Sequence, residues 1–144
     1  MKLSTAEKHL LWFLYDWIRP IRPGDMKEHL KLKHPTLNSQ LEVLKKKGLV
    51  SWKKYGPASL TQLGRMVASH HVRHTRLLEF FLINTLSIDE EVAHEESITL
   101  APMVSCRLAD AINSFLNNPE RSPCCGEIPQ LEERCVFEKQ EEGI

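Results

Sequence analysis

The side chains with most chemistry to offer fall in two runs. His70, His71 and His74 stand together in Ser69-His70-His71-Val72-Arg73-His74. Imidazoles four positions apart share a helix face and can chelate one ion, so His70 and His74 form a candidate pair while His71 faces elsewhere. The plainer reading of that pair is solvent-exposed polar positions, and spacing alone favours it. The second run is of thiols. Cys124, Cys125 and Cys135 lie within twelve residues, and Cys106 precedes them. Thiolates at such spacings can hold zinc or an iron–sulfur cluster, or act as a redox switch. The spacing matches no standard zinc ribbon or ferredoxin run, and adjacent cysteines rarely bridge because the ring is strained. Free thiols in a reducing cytoplasm are the plain expectation. No Ser or Cys stands at matched spacing from a histidine base, and Gly64 and Gly126 are isolated, so no cofactor loop is apparent. The sequence points away from an enzyme and shows no small-molecule substrate site.

Charge divides the chain. Residues 1–76 carry 15 Lys and Arg against 5 Asp and Glu, while residues 77–144 carry 4 against 14. A formal net charge of zero thus hides a basic half and an acidic half. A basic half is either the electrostatic footprint of a polyanion partner or a solvated basic face without one, and charge alone does not decide between them. The apolar stretches are too short to span a bilayer and no signal-peptide pattern opens the chain, so a cytoplasmic location without membrane contact is expected.

The elements that must position these groups follow from caps and breakers. Ser4-Thr5-Ala6-Glu7 reads as a capping box opening a helix through Trp17 and Ile18. Arg19-Pro20-Ile21-Arg22-Pro23-Gly24 stops it, and Asp25 is expected to cap a second helix through about Leu32. Thr36 to Lys47 forms a third helix with Leu37, Leu41 and Leu44 on one face, closed by Gly48. Leu49–Trp52 and Ala58–Thr61 read as paired strands around Tyr55-Gly56-Pro57. A long helix from Thr61 to about Leu86 leads into the acidic half. Asp89 caps a short acidic helix, and Met103 to Leu116 forms another, stopped by Asn117-Asn118-Pro119. The remainder is turn-rich, then acidic, with a poorly ordered end. Trp12, Phe13, Trp17, Phe80, Phe81 and Phe115 read as core or dimer contacts.

Helix, helix, turn, helix and hairpin is the order of a winged helix-turn-helix. The fold class expected is mainly α with a small β-wing. Its parts are a DNA-binding domain over 1–62, a helical dimerisation and metal-sensing domain over 63–130, and an acidic tail over 131–144. In such a motif the first residues of the recognition helix meet base edges, here His34, Pro35, Thr36, Asn38, Ser39 and Gln40. Asn38 and Gln40 can pair with adenine, while Thr36 and Pro35 suit thymine methyls. Lys27, Lys31, Lys33, Lys45, Lys46, Lys53 and Lys54 surround this face and can neutralise phosphates of a double-stranded operator.

Four segments carry a family resemblance. They are Leu60-Thr61-Gln62-Leu63-Gly64-Arg65-Met66-Val67-Ala68, Arg76-Leu77-Leu78-Glu79-Phe80-Phe81-Leu82, Ala93-His94-Glu95-Glu96, and Arg121-Ser122-Pro123-Cys124-Cys125-Gly126-Glu127-Ile128-Pro129. In that order they resemble the diphtheria-toxin-repressor family of metal-dependent regulators, including its shorter manganese-transport regulators. The resemblance implies a homodimer in which each winged helix reads half of a palindromic operator, and an Fe(II), Mn(II) or Zn(II) cofactor. Members with a third, SH3-like domain are longer, so a two-domain chain is expected.

The resemblance also implies metal ligands, and here the sequence departs from the pattern. In one site Glu79 and His94 match, but the partnering histidine position is Thr75, with His74 one step away as a misdirected substitute. In the other, the positions fall on His9, Ile98, Ala101 and Pro102, of which only His9 can bind a metal. A divalent ion needs about four to six donors. The expectation is therefore a repressor with a degenerate regulatory metal site. A thiol- or iron–sulfur-based redox-sensing regulator and a winged-helix protein-interaction module are the alternatives.

Overall fold

The computed structural model describes residues 2–123 and 126–130. The chain divides into two compact units, Ser4–Ser69 and His70 onward, the latter joined by Met1–Leu3. Among the described residues, no helix is long and apolar enough to cross a membrane.

The front unit opens with α1 (Thr5–Trp17), capped as expected by Ser4, whose Oγ accepts from the Glu7 N–H at 3.1 Å. The next helix, α2 (Pro23–Leu30), starts earlier than Asp25, with Arg22 as its N-cap. Proline explains the shift: its fixed φ and missing N–H suit the first helical turn, where no intrahelical donor is required. The same effect starts α3 (His34–Lys46) at Lys33 and His34 rather than at Thr36, with Pro35 in its first turn. Gly48 follows α3 at φ +77, a left-handed conformation that a side chain disfavours. Strands β1 (Val50–Trp52) and β2 (Ala58–Leu60) then pair antiparallel, with Ser51 opposite Ser59. Ile21 adds a bridge to Ala58.

The core of this unit is predominantly apolar. Leu10, Leu11, Leu14, Met26, Leu37, Leu41, Leu44, Leu49 and Trp52 are all buried. The start of α4 (Gln62–Asn84) is fastened to this core. Thr61 Oγ1 donates to the Gly48 carbonyl at 2.6 Å and accepts from the Gly64 N–H at 3.0 Å. Gly64 lies so close to β1 that a Cβ there would stand 1.8 Å from the Leu49 carbonyl oxygen. Only glycine allows this approach.

The rear unit comprises the remainder of α4, then α5 (Glu90–Leu100), a 3-10 turn at Ala101–Met103, α6 (Cys106–Phe115) and a two-stranded ribbon, β3 (Arg121–Ser122) with β4 (Gly126–Glu127). Asp89 caps α5 by accepting from Glu91 N–H. The expected helix from Met103 begins instead at Cys106. Pro102 confines Ala101–Met103 to a single tight turn, and Ser105 Oγ caps α6 by accepting from Leu108 N–H at 3.1 Å. Asn117 and Asn118, both at positive φ, end it. The ribbon was not foreseen, because strands this short carry no periodicity. Leu77, Leu78, Leu82, Ala93, Ala109, Ile112 and Ile128 form the core, with Phe81 and Leu116 packed against it. Phe115, expected as a core or dimer contact, is 65% exposed.

Candidate metal centre and nucleic-acid face

On the front unit, the helical period of α3 divides its residues. Leu37, Leu41 and Leu44 are turned into the core, which leaves Pro35, Thr36 and Ser39 exposed and Asn38 half-buried. Lys27, Lys31, Lys33, Lys45, Lys46, Lys53 and Lys54 are all exposed. The side chain of His34 lies outside the described residues. Asn38 lines a groove with Arg22, Pro23, Gly24, Asp25 and Tyr55. Tyr55 is exposed at the β1–β2 turn with Lys54 Nζ over its ring at 5.4 Å. Gln40 differs from its neighbours. It is half-buried, and its Oε1 is enclosed with no hydrogen-bond partner among the described residues. Lys47 also has a structural task, an ion pair with Glu7 at 2.7 Å.

The rear unit buries groups that a core normally excludes: His70, Arg73, His74, Thr75, Glu79, Ser97 and Ser122. Most of them fall into two clusters. In the first, Glu79 on α4 is 1% exposed and meets His94 Nδ1 on α5 at 2.9 Å. Ser122 on β3 donates its hydroxyl to the other carboxylate oxygen. The Arg76 guanidinium donates to the Glu127 carbonyl, holding the ribbon against α4. Burial of a carboxylate is costly unless such partners satisfy it. Thr75 is occupied otherwise, donating Oγ1 to the His71 carbonyl at 3.0 Å.

The second cluster joins His70 and His74 of α4 to Cys106 at the start of α6. His70 Nε2 lies 2.8 Å from Cys106 Sγ, and His74 Nε2 lies 3.5 Å from it. The three donor atoms fall within 4.8 Å of one another. All three side chains are nearly sealed, at 7%, 3% and 6% exposure, which overturns the expectation of solvent-exposed histidines. Desolvation first, then the neighbouring His70, His71 and Arg73, pushes the His74 imidazole down from 6.5 to about 2, opposed by a hydrogen bond with the Val104 backbone. The ring is therefore neutral and a competent lone-pair donor at physiological pH. Arg73 Nη2 pairs with Asp110 Oδ1 at 3.2 Å, one turn along α6 from Cys106. That pair fixes α4 against α6 beside the cluster.

The structure thus brings Glu79 together with His94 but gathers His74 into the other cluster. One residue along a helix rotates a side chain by about 100°, and this carries His74 from the Thr75 direction toward α6. His9 is half-buried on α1 of the front unit. Ile98, Ala101 and Pro102 offer no side-chain donor. Cys124, Cys125 and Cys135 lie outside the described residues. An iron or manganese ion in the manner of the family would find two side-chain ligands in Glu79 and His94, short of the four to six such ions require. Sequence reasoning paired His70 with His74 but did not join Cys106 to them. The sequence signal was the i, i+4 pair; its thiol partner lies 36 residues beyond His70.

Comparison with known proteins accords with this architecture. Residues 61–130 match the family described as iron dependent repressor, metal binding and dimerisation domain. An uncharacterized HTH-type transcriptional regulator of Methanocaldococcus jannaschii is 24% identical over 104 residues, 72% of this chain and 83% of its own length. The iron-dependent repressor IdeR of Mycobacterium tuberculosis is 28% identical over 135 residues, 91% of this chain but 58% of its own length. The chain therefore spans little more than half of that repressor. Among solved structures, ScaR with bound zinc is 27% identical with a TM-score of 0.77, covering 90% of this chain and 62% of ScaR. A second solved structure, of apo ScaR, the manganese-activated repressor, is also similar to this chain, with a TM-score of 0.73. Residues 61–130 are thus similar to the iron-dependent repressor family, and the chain as a whole is similar to metal-dependent transcriptional repressors.

Proposed function

We propose that this protein is a sequence-specific DNA-binding repressor that acts in the cytoplasm as a homodimer, with Ser4–Ser69 serving as a winged helix-turn-helix. The observation that carries this reading is that α3 turns Leu37, Leu41 and Leu44 into an apolar core and leaves Pro35, Thr36 and Ser39 exposed, in a unit whose Lys27, Lys31, Lys33, Lys45, Lys46, Lys53 and Lys54 are all exposed. Pro35, Thr36, Ser39 and Asn38 face bases, with Gln40 a weaker candidate because its amide oxygen is enclosed. Lys27 and Lys33 contact phosphates beside α3, and Lys53 and Lys54 do so from the β1–β2 turn.

Dimerisation is supported by the apolar side chains the rear unit leaves outside. Leu108, Ala111 and Phe115 recur at helical spacing on α6 and are exposed. Met103, at the 3-10 turn, is 73% exposed. An apolar surface of this kind marks an interaction site, and the segment matches a family whose description includes dimerisation.

The test is duplex binding against DNA upstream of the protein's own coding region at several salt concentrations. A phosphate-contacting reader loses affinity with a log–log slope of about −0.9 per contact. A salt-independent affinity, or no shift with any upstream duplex, would remove the reading and favour a protein-interaction module.

A further inference from the structure

We propose that His70, His74 and Cys106 form a site for a thiophilic divalent ion of the zinc and cobalt class, with little affinity for Mn(II). The site rests on residues of one unit and on no assumption about DNA. Its three donors come from two helices that the Arg73–Asp110 pair holds together. All are buried, so an ion bound there is shielded from exchange with solvent.

Donor type sets the preference. Two neutral imidazoles and one thiolate suit zinc, cobalt and other borderline or soft ions, whereas manganese and magnesium favour carboxylate and carbonyl oxygen. Three protein ligands with one further position is a recurrent zinc arrangement. Distances are compatible. Tetrahedral zinc, with Zn–N of about 2.0 Å and Zn–S of about 2.3 Å, places nitrogen and sulfur about 3.5 Å apart. His74 Nε2 and Cys106 Sγ already stand at 3.5 Å. His70 Nε2, at 2.8 Å from the sulfur, needs to withdraw by about 0.7 Å. Loading the site costs the Cys106 thiol one proton, released to solvent as the metal–sulfur bond forms.

This arrangement answers the loss of donors elsewhere. Ile98, Ala101 and Pro102 supply none, and Glu79 with His94 supplies two hard or borderline ligands. The chain would thus sense a different ion from the manganese-activated repressor it resembles, through a centre displaced toward the α4–α6 contact.

The experiment is anaerobic titration of the reduced full-length chain with Co(II), followed by competition. One saturable equivalent is expected, giving thiolate-to-cobalt charge-transfer absorbance and intense visible bands of a four-coordinate site, bleached by Zn(II) and not by equimolar Mn(II). Cys106→Ser should abolish the charge-transfer band and weaken zinc at least about 100-fold, since even outer-shell changes cost 10–100-fold. A Cys124→Ser/Cys125→Ser/Cys135→Ser variant and a Glu79→Gln/His94→Gln variant should both keep the band. Circular dichroism checks that Cys106→Ser folds; if it does not, His70→Gln becomes the deciding variant and must weaken zinc by a similar factor. Absence of a saturable thiolate–cobalt band overturns the proposal. So does its survival in Cys106→Ser, its loss in the triple cysteine variant, unchanged zinc binding in His70→Gln, or equal competition by Mn(II). None of these readouts involves DNA, so failure here leaves the repressor reading standing, and the reverse.

Discussion

The two units treat their polar side chains in opposite ways. The front unit builds its core from Leu10, Leu11, Leu14, Met26, Leu37, Leu41, Leu44 and Leu49 with no charged side chain buried among them, and most of its lysines are exposed. The rear unit buries two histidines, an arginine and a glutamate of α4. Apolar cores yield stability, while buried titratable groups cost desolvation that partners must offset. The contrast teaches where each unit's chemistry lies: on the surface of the front unit, and inside the rear one.

Four outcomes would break or sharpen that contrast. Leu41→Ala opens a cavity in the front core and should lower unfolding free energy by about 3 kcal/mol. Chemical denaturation measures this, and cobalt absorbance of the still-folded protein should be unchanged. Gly64→Ala drives a methyl into the Leu49 carbonyl and should cost about 2 kcal/mol. A neutral or stabilising result there would show that α4 is not fastened to β1 as described.

The third outcome belongs to the rear unit and concerns the metal-free protein. His74 has a folded-state value below its unfolded one, so the unfolded chain takes up more protons below pH 6.5. Stability is then fully present above that pH and declines as pH falls. Between about pH 7.5 and about pH 5.5 the loss from this group is about 1 kcal/mol, read from melting of the apo protein. His74→Gln should flatten that part of the profile. The smallest effect on stability comes from the front surface. Lys53→Ala/Lys54→Ala should leave unfolding within about 0.5 kcal/mol of wild type while reducing the salt slope of DNA binding by about 2. A destabilised variant with an unchanged slope would reverse the assignment of these lysines.

Much of the fold was legible because local chemistry enforces it. The Ser4 cap, the Gly48 stop, the hairpin around Tyr55-Gly56-Pro57 and the Asp89 cap all stand where residue types place them. The displaced helix starts at Pro23 and His34 show a local rule outweighed by another, since proline at the first turn prevails over a nearby side-chain cap. The β3–β4 ribbon was illegible, being too short for any period. The Glu79–His94 contact followed from resemblance rather than from spacing.

By itself the sequence determined the order of the α-helices and the first hairpin, the apolar stripe of α3, the charge division and the absence of donors at Ile98, Ala101 and Pro102. Only tertiary structure decided which histidines meet which partner. His74 and Cys106 are 32 positions apart, and no local period links residues on different helices. Their meeting depends on how α4 packs against α6, through Leu77, Ala109 and Ile112 in the shared core and Arg73 with Asp110 beside it. Helical periodicity sets the direction a side chain leaves its own axis; what waits there is set by the packing of the whole unit.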